Sequence, residues 1–132
     1  MIVVDSSVWI DHLRGNATPE VVRLAEMIRA DDDILVGDLV LCEVLSGVPS
    51  DRVAARLERG LRSFTVMSMS SASVAVDAAA NYRRLRTRGI TIRKTMDLLI
   101  GTFCIRENLP LLHRDRDYDP MEQHLGLRVV HP

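Results

Sequence analysis

Six carboxylates sit where carboxylates are costly. Asp5 closes the apolar run Ile2-Val3-Val4, and Glu43 is flanked by Leu41, Cys42, Val44 and Leu45. Asp97 is followed by eight uncharged residues, Leu98 to Ile105, and Asp115, Asp117 and Asp119 come after the apolar run Leu109–His113. A charge at the edge of a core needs a partner. Taken singly, each acid has an ordinary explanation as a helix cap, a helix-dipole partner or part of an acidic turn. Glu43 is the hardest to explain that way, because a mid-helix acid among apolar neighbours gains nothing locally. Brought together, the carboxylates repel and some keep their protons. A hard divalent cation such as Mg²⁺ or Mn²⁺ resolves the conflict, since it takes oxygen ligands and retains several waters. Such a centre can activate a water and stabilise both oxygens of an in-line phosphoryl displacement. Histidine fits this donor set poorly: His12, His124 and His131 fall at surface or turn positions, and only His113 is near the acids.

The elements between these acids predict how they meet. Ile2–Asp5 reads as a short buried strand, and Ser6 or Ser7 caps a helix through Leu13, ended by Gly15 and Asn16. Thr18-Pro19-Glu20 opens a helix with an apolar stripe at Val21, Leu24, Ala25 and Ile28. Residues 34–36 form a second strand, Asp38 caps a helix through Ser46, and another helix runs from Ser50 or Asp51 to Leu61. Phe64–Met67 is the third strand, followed by a long helix over 71–88 that Gly89 stops. Thr95 caps a helix through Ile105, Leu109–His113 is a strand, Pro120–Leu125 a short helix and Leu127–Val130 a last strand. Short apolar strands separated by helices predict parallel β-α units. The expected fold is a single α/β domain over 1–132, a three-layer α/β/α sandwich with a central, mostly parallel sheet of four or five strands. Right-handed crossovers put the strand C-termini on one edge, where sites in such sheets lie.

Composition narrows the function. A net charge of −1 argues against a generic basic coat for nucleic acid. The charge is unevenly spread: residues 31–51 carry six acids and no Lys or Arg, whereas residues 52–94 carry nine Arg and Lys94 against Glu58 and Asp77. That pattern suits a cation in one zone and phosphates in the other, or simply solvated helix faces. No apolar run approaches the ~20 residues that span a bilayer. The N-terminus lacks a basic segment ahead of an apolar one, which predicts no signal peptide and a cytoplasmic protein. Cys42 and Cys104 lie in apolar helical stretches and read as reduced core thiols.

The strand IVVDSSVWIDHL, the Glu of LCEVLSG, the Asp of KTMDLLIG and the run LLHRDRDYDP resemble the PIN-domain family, and most closely its VapC toxins. The resemblance covers nearly the whole chain in the expected order. It implies a Mg²⁺- or Mn²⁺-dependent endoribonuclease that cuts structured RNA such as tRNA or rRNA and arrests translation until a cognate antitoxin blocks it. It also implies homodimers or toxin–antitoxin hetero-oligomers. Residue by residue, Asp5, Glu43, Asp97 and Asp115 match the acidic quartet, Asp117 a fifth acid, and Ser7 a small hydroxyl near the metal. The His113 position is often Ser or Thr in relatives, so His113 is left outside the core site.

On this reading Asp5 and Asp97 are the principal ligands, Glu43 and Asp115 complete the shell, and Asp117 assists or holds a weaker second metal. The basic segment 83–94, with Arg86, Arg88, Arg93 and Lys94, is the first candidate for RNA phosphates. Arg114 and Arg116 alternate with acids and either bind RNA or brace the carboxylates, bracing being favoured. An antitoxin would offer an Arg to the acids and an apolar helix to a groove. Trp9, Leu13 and the helix 50–61 either line that groove or, for Trp9 and Leu13, belong to the core. Two alternatives are a PIN nuclease of RNA maturation without an antitoxin and a receiver-like Mg²⁺-binding signalling module. The latter lacks its usual acid after the third strand, where the sequence reads Ser68-Met69-Ser70.

Overall fold

The apolar runs assemble into a four-stranded sheet in a computed structural model that describes residues 1–132. The strands are β1 (Ile2–Val4), β2 (Ile34–Gly37), β3 (Thr65–Met67) and β4 (Leu111–Leu112), in the order β3-β2-β1-β4. Every pairing is parallel, with Val3 opposite both Leu35 and Leu111. Val3, Val4, Leu35, Val36, Leu111 and Leu112 are fully buried. A strand buried on both faces reads as a continuous apolar run, which is why alternation is missing from the sequence.

Seven helices flank the sheet: α1 (Ser6–Leu13), α2 (Pro19–Arg29), α3 (Asp38–Ser46), α4 (Asp51–Leu61), α5 (Ala72–Arg86), α6 (Thr95–Glu107) and α7 (Asp119–Leu125). A single 3₁₀ turn, Arg116–Tyr118, precedes α7. The side chains of Thr18, Ser50 and Ser71 cap α2, α4 and α5 by accepting from the backbone N–H three residues on. The α5 and α6 helices pack together, α1 packs on α2 and α3, and α3 packs on α4. No helix is long and apolar enough to cross a membrane.

Several boundaries differ from expectation, each for a physical reason. Leu127–Val130 does not form a strand. A single bridge joins Leu111 to Val129, because the chain leaves α7 through the left-handed Gly126 (φ 79°) and β4 offers only two residues to pair with. The β4 strand is shorter than Leu109–His113 because Asn108 at φ 53° ends α6 just upstream and Pro110 contributes only its carbonyl, which accepts from Val3 N–H. Thr95 does not cap α6; it is the first helical residue, and Lys94 takes the cap position without a side-chain bond. Gly37, not Asp38, precedes α3. The Asp38 carboxylate instead accepts from Leu39 N–H, Met69 N–H and the Ser68 and Ser70 hydroxyls, tying the loop after β3 to the start of α3. Cys104 is buried, but Cys42 is exposed, since it falls on the outer side of α3. Trp9 is core, 4% exposed, whereas Leu13 is 49% exposed.

One close approach matters for the site. A Cβ on Gly101 would collide with the terminal atoms of Met121 and lie 3.6 Å from the Tyr118 ring. Met121 and Tyr118 are both fully buried, so neither has free volume to retreat into. Gly101→Ala is therefore expected to lower unfolding stability by about 1–3 kcal/mol through overpacking, read by urea denaturation.

Candidate metal centre

The acids converge because each is placed by an element that ends at, or starts from, the same edge of the sheet. Asp5 follows β1 directly, and its backbone N–H donates to Leu112 O at 2.9 Å, locking it between β1 and β4. As the cap of α1 it accepts at Oδ2 from Ser7 N–H (3.0 Å) and Ser7 Oγ–H (2.6 Å). Its other oxygen, Oδ1, accepts from the Tyr118 hydroxyl at 2.7 Å. Glu43 faces inward from α3, where its Oε1 accepts from Ser6 Oγ–H at 3.0 Å. Asp97 lies in the first turn of α6 and is only 2% exposed.

Asp5, Glu43 and Asp97 each bring an oxygen within 4.8 Å of the other two, and Asp97, Asp115 and Asp117 form a second such triplet. The five expected acids thus make two clusters that share Asp97. Asp119 belongs to neither; it is exposed at the start of α7. The Asp115 carboxylate caps the 3₁₀ turn through Asp117 N–H at 3.0 Å and receives the Lys94 ammonium at 2.6 Å.

Electrostatics inside this cluster are unbalanced. Burial, reinforced by the neighbouring Asp5 and Asp115 charges, pushes the Asp97 carboxyl up to about 8. Burial also raises Glu43, against the Ser6 hydrogen bond that favours its ionised form. Burial works the same way on Asp115, but the Lys94 ammonium and the Asp117 amide outweigh it and hold that carboxyl below the usual range. The Asp97 Oδ2 atom is buried with no hydrogen-bond partner. An orphaned carboxylate oxygen beside two further acids is the donor set a hard cation requires, so the residues fit a divalent ion.

Other groups take roles that spacing did not show. Tyr118 was not singled out in the sequence, yet it is the buried donor to Asp5, with its hydroxyl 3.4 Å from Asp97 Oδ1. The only sequence signal was a Tyr inside an otherwise charged run. Arg114 does not brace the quartet. Its guanidinium pairs with Asp11 at 3.0 Å, one turn along α1 from Ser7, while its backbone N–H donates to Ser7 Oγ at 3.0 Å. Arg116 makes no ion pair and is exposed. Lys94 turns to the acids, whereas Arg86, Arg88 and Arg93 are exposed. Arg93 and Arg116 line a polar groove of about 570 Å³ together with Lys94, Arg114, Asp115 and Asp117; Arg86 and Arg88 lie outside it. His113 packs against the Tyr118 ring at 4.7 Å, and its Nδ1 accepts from Asp115 N–H at 3.1 Å. Burial holds its pKa down, so it stays a neutral packing and accepting group.

Two outcomes follow. Folded Asp97 retains a proton that the unfolded chain releases at its ordinary 3.8, so the metal-free protein should lose stability as pH rises from there through about 8. A saturating divalent cation, or Asp97→Asn, should flatten that slope in thermal melts taken across the range. Tyr118→Phe removes a donor that orients Asp5 and should weaken divalent-ion affinity about 10- to 100-fold by calorimetry while the fold persists.

Comparison with known proteins identifies the family. Residues 2–122 match the family described as PIN domain. Ribonuclease VapC11 of Mycobacterium tuberculosis is 29% identical over 131 residues, covering 98% of each chain. Ribonuclease VapC19 of the same organism is 32% identical over 123 residues, covering 92% of this chain and 94% of that one. A toxin–antitoxin complex from Klebsiella pneumoniae shares the fold, with a TM-score of 0.73 at 19% identity over 100% of this chain and 98% of its own. The chain belongs to the PIN-domain family, and within it to the VapC ribonucleases.

Proposed function

We propose that this chain is a Mg²⁺- or Mn²⁺-dependent endoribonuclease that works in the cytoplasm as the toxin of a toxin–antitoxin pair and cuts structured RNA such as tRNA or rRNA. The observation that carries the reading is the buried Asp97 carboxylate, whose Oδ2 accepts no hydrogen bond, clustered within 4.8 Å with oxygens from Asp5 and Glu43. A divalent ion bound there would lower the pKa of an attacking water and offset the charge that builds on the scissile phosphate.

The chain's own residues supply the rest. Asp5 and Asp97 would hold the ion as principal ligands together with Glu43, while Asp115 and Asp117 form the adjoining triplet that shares Asp97. Ser7 and Tyr118 fix both oxygens of Asp5, so its geometry is set before RNA arrives. Ser6 donates to Glu43 Oε1 and so fixes the orientation of that carboxylate toward Asp5 and Asp97. Arg93 and Arg116 line the groove beside Asp115 and Asp117 and would fork onto RNA phosphates. Placing guanidinium groups around the carboxylates, rather than among them, lets a polyanion approach an acidic centre without meeting unshielded negative charge.

The antitoxin surface follows from the apolar groove on the α1–α3–α4 side. Ile10, Leu13, Val44, Val53 and Leu57 line a depression of about 540 Å³, with Arg14 and Arg56 among its lining residues. Leu13 and Val53 are 49% and 39% exposed, a cost in the free protein that burial under an amphipathic helix with acidic flanks would remove. Trp9, though adjacent in sequence, belongs to the core and does not line this groove.

Purified protein should cleave RNA with Mg²⁺ and not with chelator, and sequencing RNA 5′ ends after induced expression should show discrete new ends. Asp97→Asn should abolish both cleavage and growth arrest. Persistence of cleavage in that variant would remove Asp97 from the mechanism. Val53→Glu should weaken binding to the cognate antitoxin by about tenfold or more and leave cleavage by the isolated toxin intact.

A further inference from the structure

The second carboxylate triplet already holds a cation, and it is one of the chain's own. The Lys94 ammonium lies 2.6 Å from Asp115 Oδ2 and 3.8 Å from Asp97 Oδ2. The same residue donates its backbone N–H to Asp117 Oδ2 at 3.2 Å. Both ends of Lys94 therefore engage the triplet Asp97, Asp115 and Asp117, and no other basic side chain reaches it. The first triplet is different. Asp5 and Glu43 receive only neutral donors, from Ser7, Tyr118 and Ser6, and Asp97 Oδ2 receives no hydrogen bond at all.

We propose that the Lys94 ammonium occupies the second cation position of the centre, so that the resting protein takes a single divalent ion, at Asp5, Glu43 and Asp97. This rests on the metal-dependent reading above and adds to it the occupancy of each triplet. The two positions share Asp97, as the two positions of a paired-ion site share a bridging carboxylate. Ions in such sites sit about 3.5–4 Å apart. An ammonium is a compact charge with three rotatable donors, able to meet oxygens of two acids at once. Because it is tethered, it competes at an effective concentration on the order of millimolar. A free Mg²⁺ must shed tightly held water to displace it, and would then face both the first ion and the expelled ammonium. Three features favour this arrangement over a surface lysine lying by chance near an acid. The Asp115 contact is short, the backbone of Lys94 is fixed by Asp117, and Lys94 holds the cap position of α6, three positions before Asp97. The arrangement leaves one fixed and one exchangeable positive charge at the edge of the groove that carries Arg93 and Arg116.

The test is stoichiometry, not turnover. Mn²⁺ binding is followed by the loss of the free-ion electron paramagnetic resonance signal, with the full chain of wild type, Lys94→Met and Lys94→Arg. Lys94 is exposed, its side chain 58% accessible, and circular dichroism melts check that both variants fold. The expected result is one Mn²⁺ for wild type, two for Lys94→Met with the broadened spectrum of a spin-coupled pair, and one for Lys94→Arg, which keeps the charge. Two ions in wild type, or one in Lys94→Met, would overturn the assignment while leaving the metal-dependent reading standing. No Mn²⁺ in any of the three would overturn both.

Discussion

Mutual repulsion among carboxylates in a nearly dry site is the constraint around which this molecule is built. Asp5 and Asp97 are 1% and 2% exposed, and Glu43 adds a third acid within reach of both. Such a group is unstable by itself: charge held at low dielectric either pairs or takes up a proton. The chain pairs some of it internally. Ser6, Ser7 and Tyr118 satisfy Asp5 and Glu43 with neutral donors, and Lys94 neutralises Asp115. It leaves Asp97 Oδ2 buried without a hydrogen bond, an imbalance a divalent ion would relieve.

The fold serves this constraint by bringing distant segments to one edge. An all-parallel sheet points every strand C-terminus the same way, so Asp5 after β1 and the Asp115 turn after β4 emerge side by side. Helices supply the other two acids, Glu43 from α3 and Asp97 from the first turn of α6. Gly101 then lets Met121 and the Tyr118 ring press against α6, which carries the Tyr118 hydroxyl to Asp5. The acidic edge and the packing of the last third of the chain are thus one structure, in which a methyl group at residue 101 would be felt at a carboxylate.

Charge outside the acids is arranged in a graded way. Lys94 sits within the cluster, Arg93 and Arg116 flank it, and Arg86 and Arg88 lie farther off. Arg114 is held on the α1 side by Asp11, which keeps the loop after β4 in register with α1 and so holds Ser7 against Asp5. The apolar groove on the α1–α3–α4 side is separate from this polar one.

Much of this was legible from residues 1 to 132 alone. Short continuous apolar runs between amphipathic stretches specify parallel β-α units, because only strands buried on both faces lack alternation. Ser and Thr before Val21, Val53 and Val74 mark helix starts, because their oxygens satisfy the free N–H groups there. Glu43 stood out because a mid-helix acid among apolar neighbours gains nothing locally, whereas Asp5, Asp97, Asp115 and Asp117 could be picked out only jointly, through the predicted sheet edge and the match to the PIN-domain pattern. What the sequence could not decide was partnership across space. Tyr118 donating to Asp5 joins residues 113 positions apart, Lys94 and Asp115 are 21 apart, and Arg114 and Asp11 are 103 apart. The same limit explains Leu127–Val130, which has strand composition yet makes one bridge, since a strand exists only where a neighbour offers matching length. Local chemistry is written in residue type and spacing; which cation answers which anion is settled only when the chain closes on itself.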